Sequence, residues 1–89
     1  MDYEWDERKR ATNIRRHGVD FISIHSFDWA TCLSVPDARF EEHRYCVLGL
    51  IENRLYFVAY TIRQTTIRLI SMRKANAREI RKYENYSAD

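Results

Sequence analysis

The amino-acid sequence predicts a single α+β domain spanning residues 1–89: two N-terminal helices, a mainly antiparallel sheet of about four strands, and a C-terminal helix. Three observations lead there. Two aspartates, Asp6 and Asp20, each precede a short apolar-periodic stretch, with Gly18 between them. From Thr31 onward the apolar residues alternate with polar ones in runs separated by short polar breaks. Finally, Asn76-Ala77-Arg78-Glu79 has the spacing of a capping box and introduces a last amphipathic stretch.

Taken in order, Tyr3 to Trp5 reads as a short extended entry. Asp6 suits the N-cap of a helix running to about His17, because its carboxylate can accept from the first unpaired amides. Gly18 closes that helix, since glycine takes the left-handed C′ conformation without steric cost. Asp20 then caps a shorter helix, Phe21 to about Ser26, whose apolar set is Phe21, Ile22, Ile24 and Phe27. Strands follow over Thr31 to Val35, Arg44 to Ile51, Leu55 to Arg63 and Thr66 to Met72, with a polar loop from Pro36 to His43. Turns around Glu52 to Arg54 and at Gln64-Thr65 are too short for anything but antiparallel hairpins. The closing helix places Ala77, Ile80 and Tyr83 on one face, with Arg78, Arg81 and Lys82 turned elsewhere. Helices on one face of the sheet would leave the other face available.

Composition narrows the function classes. With 45% hydrophobic and 31% charged residues the chain of 89 residues is an ordinary globule with room for one core. Cys32 and Cys46 are too few for a disulfide framework or zinc cluster and are expected as buried free thiols. His17, His25 and His43 have no metal-ligand spacing, so no metal site and no cofactor is expected. Gly-rich phosphate loops, nucleophile elbows and paired catalytic carboxylates are missing as well. The start is acidic where a secretory signal would be basic, and no apolar run approaches the roughly 18 residues of a membrane span, which predicts a cytoplasmic protein with no membrane partner. Net charge is only +2 but uneven: Thr61 to Asp89 carries seven basic against three acidic residues, whereas the first 60 carry eight against ten. A polyanion would dock on the C-terminal third.

Within that third, register decides what meets. If the Gln64-Thr65 turn holds two or four residues, Thr61, Arg63 and Arg68 share one side as a basic, hydroxyl-bearing patch; a three-residue turn scatters them. Solvated strand positions are the equally good bland reading. Glu41-Glu42 and the helix-one charges Glu7, Arg8 and Arg10 read as solvated surface.

At this point the residues resemble a known family. Trp5-Asp6, Lys9, Asn13 and Arg16-His17-Gly18-Val19 with Phe21 follow the opening pattern of the BrnT family. Tyr60-Thr61-Ile62-Arg63, the run Ile67 to Ala75, then Glu79 and Tyr83 are similar to its T-x-R, I-R-I-I-S-x-R-x-A and E-x-x-x-Y segments. Departures are confined to packing positions (Met72, Leu69, Ile24, Ser26), and nothing in Pro36 to His43 takes part. The resemblance implies a RelE-like fold and a toxin that cuts RNA and inhibits translation. It also implies a BrnA-like antitoxin partner that binds operator DNA and so lets the complex repress its own operon. It associates Lys9, Arg63 and Arg73 with activity. Metal-free RNA cleavage needs a base for the 2′-hydroxyl, stabilisation of the phosphorane oxygens and an acid for the 5′-oxygen. Arginine suits the second task. The first and third stay open among Lys9, Tyr60, Tyr83, His17 and Glu79. Tyr83 reads equally well as a core tyrosine, Glu79 as a cap, and His17 as a helix-end residue. Arg68, Lys74, Arg81, Tyr60 and Trp5 form the candidate RNA-contacting set. A basic RNA-binding or interaction module without catalysis is the alternative, using the same arginines for phosphate contacts alone.

Overall fold

A computed structural model describes residues 1–37, 39 and 43–87. The chain order is β1 (Asp2–Glu4), α1 (Glu7–His17), a 3₁₀ helix (Phe21–Ser26), β2 (Leu33–Val35), β3 (Arg44–Ile51), β4 (Arg54–Arg63), β5 (Thr66–Lys74) and α2 (Ala77–Ser87). The expected charge pair Glu41-Glu42 lies outside the described residues. Among those that are described, no helix is long and apolar enough to cross a membrane.

Local chemistry places the helices where it should. The Asp6 carboxylate accepts from the Arg8 amide at 2.7 Å, and Gly18 ends α1 at φ +68° with its N–H donating to Ile14 O at 2.8 Å. The second helix has 3₁₀ geometry, for a reason visible in its spacing. Phe21, Ile24 and Phe27 recur every three residues, which one row of a three-residue-per-turn helix stacks together. All three are buried, while Ile22 points outward. Asp20 caps this helix through the Ile22 amide at 3.1 Å and grips Arg10 of α1 through Nε and Nη2 at 2.8 and 2.9 Å. That arginine, with the amide bond, lowers the Asp20 carboxyl to about 2.

The sheet has five strands in the order β1-β5-β4-β3-β2, one more than expected. The extended entry is itself a strand: Asp2, Tyr3 and Glu4 pair parallel with Thr66, Ile67 and Arg68, so the sheet is mixed. A pairing across more than 60 residues leaves no local mark in a three-residue segment. Both hairpin turns hold two residues, since Ile51 pairs Arg54 and Arg63 pairs Thr66. Their first positions, Glu52 and Gln64, sit at φ +56° and +57°.

Both faces of the sheet are used, so the helices are not confined to one. Val47, Val58 and Met72 stand in register on one face and pack with Phe21, Ile24 and Phe27 as the main core. On the opposite face Leu48 and Phe57 join Leu55, Ala75 and, from α2, Ile80 and Tyr83. Along β5 a bulge shifts the register: Ala59 pairs Ser71 but Tyr60 pairs Leu69, leaving Ile70 as the extra residue. Residues that span the bulge an odd number apart therefore share a face, and Arg68 and Arg73 both stand on the α2 side.

One close approach fixes the main core. An added Cβ at Gly49 would lie 2.3 Å from Phe27 Cζ. Gly49→Ala therefore forces this ring to move in a filled core, at a cost of about 1–3 kcal/mol. The expected result in a thermal melt is a Tm lower by about 4 °C or more.

Candidate functional site

On the α2 side of the sheet lies a groove of about 980 Å³. Its first wall is α1, where Arg8, Thr12 and Arg16 recur every four residues, as do Lys9, Asn13 and His17 beside them. Arg78, Glu79 and Lys82 of α2 form the second wall, and Pro36, Asp37 and Arg39 after β2, with Arg44 of β3, enclose one end. Leu48, Phe57, Ile70, Ser71 and Arg73 form the floor.

A helix can serve as a wall here because Asn13 anchors it to the edge of β5. Beyond Arg68 that edge has no strand partner, and the side-chain amide of Asn13 takes its place. Asn13 Nδ2 donates to Met72 O and to Val19 O, each at 2.8 Å, and Asn13 Oδ1 accepts from the Met72 amide at 3.1 Å. Asn13 is a buried polar residue with its hydrogen-bonding groups engaged.

The electrostatics of the groove are one-sided. Among the described residues, eight cationic side chains line it (Arg8, Lys9, Arg16, Arg39, Arg44, Arg73, Arg78 and Lys82) against two carboxylates. Both carboxylates are committed: Asp37 to Arg44 at 3.3 Å, and Glu79 to Arg73. The second pair is bidentate, Nη1 to Oε1 at 2.8 Å and Nη2 to Oε2 at 3.0 Å. Glu79 also completes the capping box foreseen from the sequence, its Oε1 accepting from the Asn76 amide at 2.9 Å while Asn76 Oδ1 accepts from the Glu79 amide at 2.8 Å. The guanidinium of Arg73 lies 4.3 Å above the Phe57 ring. Hydrogen bonding to Glu79 raises the Arg73 pKa, and the same bonds hold the Glu79 carboxyl below the usual carboxylate range. Such a surface attracts polyanions and keeps an arginine charged at its floor.

Of the sequence-predicted catalytic set, Lys9, His17, Arg73 and Glu79 line this one groove. Arg63 and Tyr83 do not. Arg63 is on the exposed end of the β4–β5 hairpin, 3.9 Å from Glu4. Tyr83 is a buried residue of α2 packed with Leu48, Leu55 and Ala75, its hydroxyl donating to Thr31 O at 3.0 Å. The two-residue turn does put Thr61, Arg63 and Arg68 on one side, but Arg68 is tied to Glu4 of β1. None of the candidate RNA contacts Arg68, Lys74, Arg81, Tyr60 and Trp5 lines the groove. Trp5 packs edge-on against Phe21 and donates its indole N–H to Glu7. Tyr60 is on the opposite face between Trp29 and Tyr45, where burial pushes its phenol pKa up. Lys74 and Arg81 are exposed elsewhere. The cysteines are free, and burial raises both thiols.

The sequence reading missed Arg8, Arg16, Arg39, Arg44, Arg78 and Lys82 as groove residues. A usable signal existed for two pairs: Arg78 and Lys82 are four apart on α2, and Arg8 and Arg16 are two turns apart on α1 with Thr12 between them on the same face. Arg39 and Arg44 depend on tertiary placement and left none.

Residues 5–79 match the family described as ribonuclease toxin, BrnT, of type II toxin-antitoxin system. The chain belongs to this family. As a BrnT toxin it is also similar in structure to the crystallised Brucella abortus ribonuclease toxin, BrnT, with a TM-score of 0.70 at 29% identity, covering 85% of this chain and 97% of that one. A search of curated proteins finds no match. The matched segment holds the whole α1 wall, the groove floor and Glu79.

Asn13 is the point at which the BrnT groove should be most sensitive to a change outside its charges. Asn13→Ala leaves two buried backbone groups of Met72 without partners, at roughly 1–3 kcal/mol for each. Chemical denaturation should show the midpoint lowered and the m-value unchanged, and amide exchange should show α1 losing protection before β3 and β4.

Proposed function

We propose that this BrnT-family chain cleaves RNA in the groove between α1 and α2, without a metal ion, by attack of a 2′-hydroxyl on the adjacent phosphodiester. The observation that carries the reading is Arg73, an oriented guanidinium on the floor of a groove whose described lining holds eight cations. In the trigonal-bipyramidal transition state charge builds on the non-bridging phosphate oxygens, and a fixed arginine is worth most there. Lys9 and His17, from the α1 wall, are the groove groups of a type able to move the protons of the 2′-hydroxyl and the 5′-oxygen. Arg8, Arg16, Arg78 and Lys82 hold neighbouring phosphates. Among the described groove residues both carboxylates, Asp37 and Glu79, already serve an arginine, which supports chemistry without a hard cation. Arg63 and Arg68, on the same face of the sheet but outside the groove, extend the phosphate track.

The partner reading follows from charge. A type II toxin has an antitoxin, and the groove is the surface to which an acidic segment is drawn. We take the antitoxin to be BrnA-like, to cover this groove so that RNA and antitoxin exclude one another, and to carry the operator-binding segment through which the complex represses its operon.

Arg73→Ala should lower the rate of RNA cleavage by about 10²–10³ while circular dichroism stays native. Arg63→Ala should act mainly on KM. Cleavage by the unaltered protein should persist in EDTA. RNA bound tightly but left uncut over hours would instead support a non-catalytic binding module, and activity lost to EDTA and restored by a divalent ion would overturn the metal-free route.

A further inference from the structure

The donors of Arg73 can be followed atom by atom. A guanidinium carries five N–H groups in one plane, an end-on pair shared by the two Nη atoms and a side-on pair made of Nε–H and the neighbouring Nη2–H. Glu79 occupies the end-on pair, at 2.8 and 3.0 Å. A longer bond of 3.4 Å runs from Nη1 to the Lys74 carbonyl. The side-on pair meets no protein acceptor among the described residues. Arg10 shows what this pair does when two oxygens of an anion are present, since its Nε and Nη2 hold the two carboxylate oxygens of Asp20 at 2.8 and 2.9 Å.

Rotation of the Arg73 plane is restricted from two sides. Phe57 lies beneath it at 4.3 Å. Glu79 is itself fixed, because the capping box holds both its carboxylate and its amide to Asn76. The start of α2, the carboxylate and the arginine thus form one rigid unit across a side chain that would otherwise sample many rotamers.

We infer that Glu79 is a positioning residue which, by holding the end-on edge of Arg73, presents the side-on Nε/Nη2 edge to the two non-bridging oxygens of a phosphodiester. The inference rests on the groove being the RNA-cleaving site and adds the orientation of its central cation and the residue that sets it. A phosphodiester offers two oxygens at a spacing close to that of a carboxylate, so the grip of Arg10 on Asp20 is the expected geometry. Lysine at position 73 could not reproduce it, having a point charge in place of a planar fork.

Glu79→Gln separates positioning from folding. A glutamine at the third position of a helix still completes a capping box through its carbonyl oxygen. It offers Arg73 one acceptor in place of two and no charge. Three measurements are made on the full chain: a thermal melt for Tm, RNA-cleavage kinetics for kcat and KM, and the Arg73 Nε ¹⁵N resonance during titration with inorganic phosphate. In the unaltered protein this resonance should shift saturably. In Glu79→Gln the fold should persist, kcat should fall by about 10- to 100-fold with KM within about twofold, and the phosphate response at Nε should weaken. A folded Glu79→Gln with unaltered kcat and unaltered Nε response would overturn the inference and leave Glu79 as a helix cap. If that variant does not fold, the unaltered protein still decides: an Nε resonance indifferent to phosphate contradicts the side-on edge. Should the unaltered protein fail to cut RNA while Nε responds to phosphate, the cleavage reading falls and the assignment of the edge stands.

Discussion

Met72 is where the fold and the groove depend on one another. β1 pairs with β5 only as far as Arg68, so beyond that point the outer edge of β5 turns its backbone groups toward the interior with no strand to meet them. Asn13 substitutes for the missing strand by donating to the Met72 carbonyl and accepting from its amide. An unpaired buried donor or acceptor costs about 1–3 kcal/mol, so the helix that carries Asn13 is committed to this edge. With α1 fixed there, Lys9, Arg16 and His17 stand beside the strand segment that supplies Ser71 and Arg73. One buried amide therefore sets the distance between the two halves of the site.

The bulge at Ile70 supplies the second condition. Without it, strict alternation would send Arg73 to the face that holds Met72 in the main core. With it, Met72 pairs Val58 inside the core while Arg73 pairs Phe57 on the other face. The division of labour between faces follows. The side against the 3₁₀ helix is filled with Phe21, Ile24, Val47 and Val58 and sustains the fold, whereas the other side is packed by α2 at one end and left polar over the rest. Crowding cations there works against stability through mutual repulsion. Glu79 and Asp37 offset part of it, and a bound polyanion or acidic partner offsets more, so the toxin is less stable free than when such a partner is bound.

How much of this was legible in the sequence depends on the range of each interaction. Asp6, Gly18, Asp20 and the Asn76–Glu79 box act within a few residues, and all four do what their spacing announces. The positions of the two hairpins were readable for the same reason, whereas the length of each turn, two residues in both, is set by the pairing. The pairing of Asp2–Glu4 with Thr66–Arg68 was not, because a parallel partner far along the chain imposes no local period on three residues. The bulge at Ile70 was equally silent, although it decides which face Arg73 occupies. For the site, the family resemblance pointed to Lys9, Arg63 and Arg73, of which the fold brings Lys9 and Arg73 into one groove and leaves Arg63 outside it. The charge count pointed to the C-terminal third as a whole, yet Arg68, Lys74 and Arg81 lie outside the groove and Arg8, Arg16 and Arg44 from the first half lie inside it. Charge summed along a chain has no direction, and the placement of these residues comes from which way α1 and β3 turn.

The claim on which the account stands is that the scissile phosphate sits on Arg73 between α1 and α2. A crystal structure with an RNA oligonucleotide carrying a single 2′-deoxy position at the cleaved step tests it directly. The account predicts that phosphate on the Arg73 guanidinium, with Lys9 and His17 facing the modified ribose. An RNA backbone running past Arg63 and Arg68 with the groove left empty would contradict it.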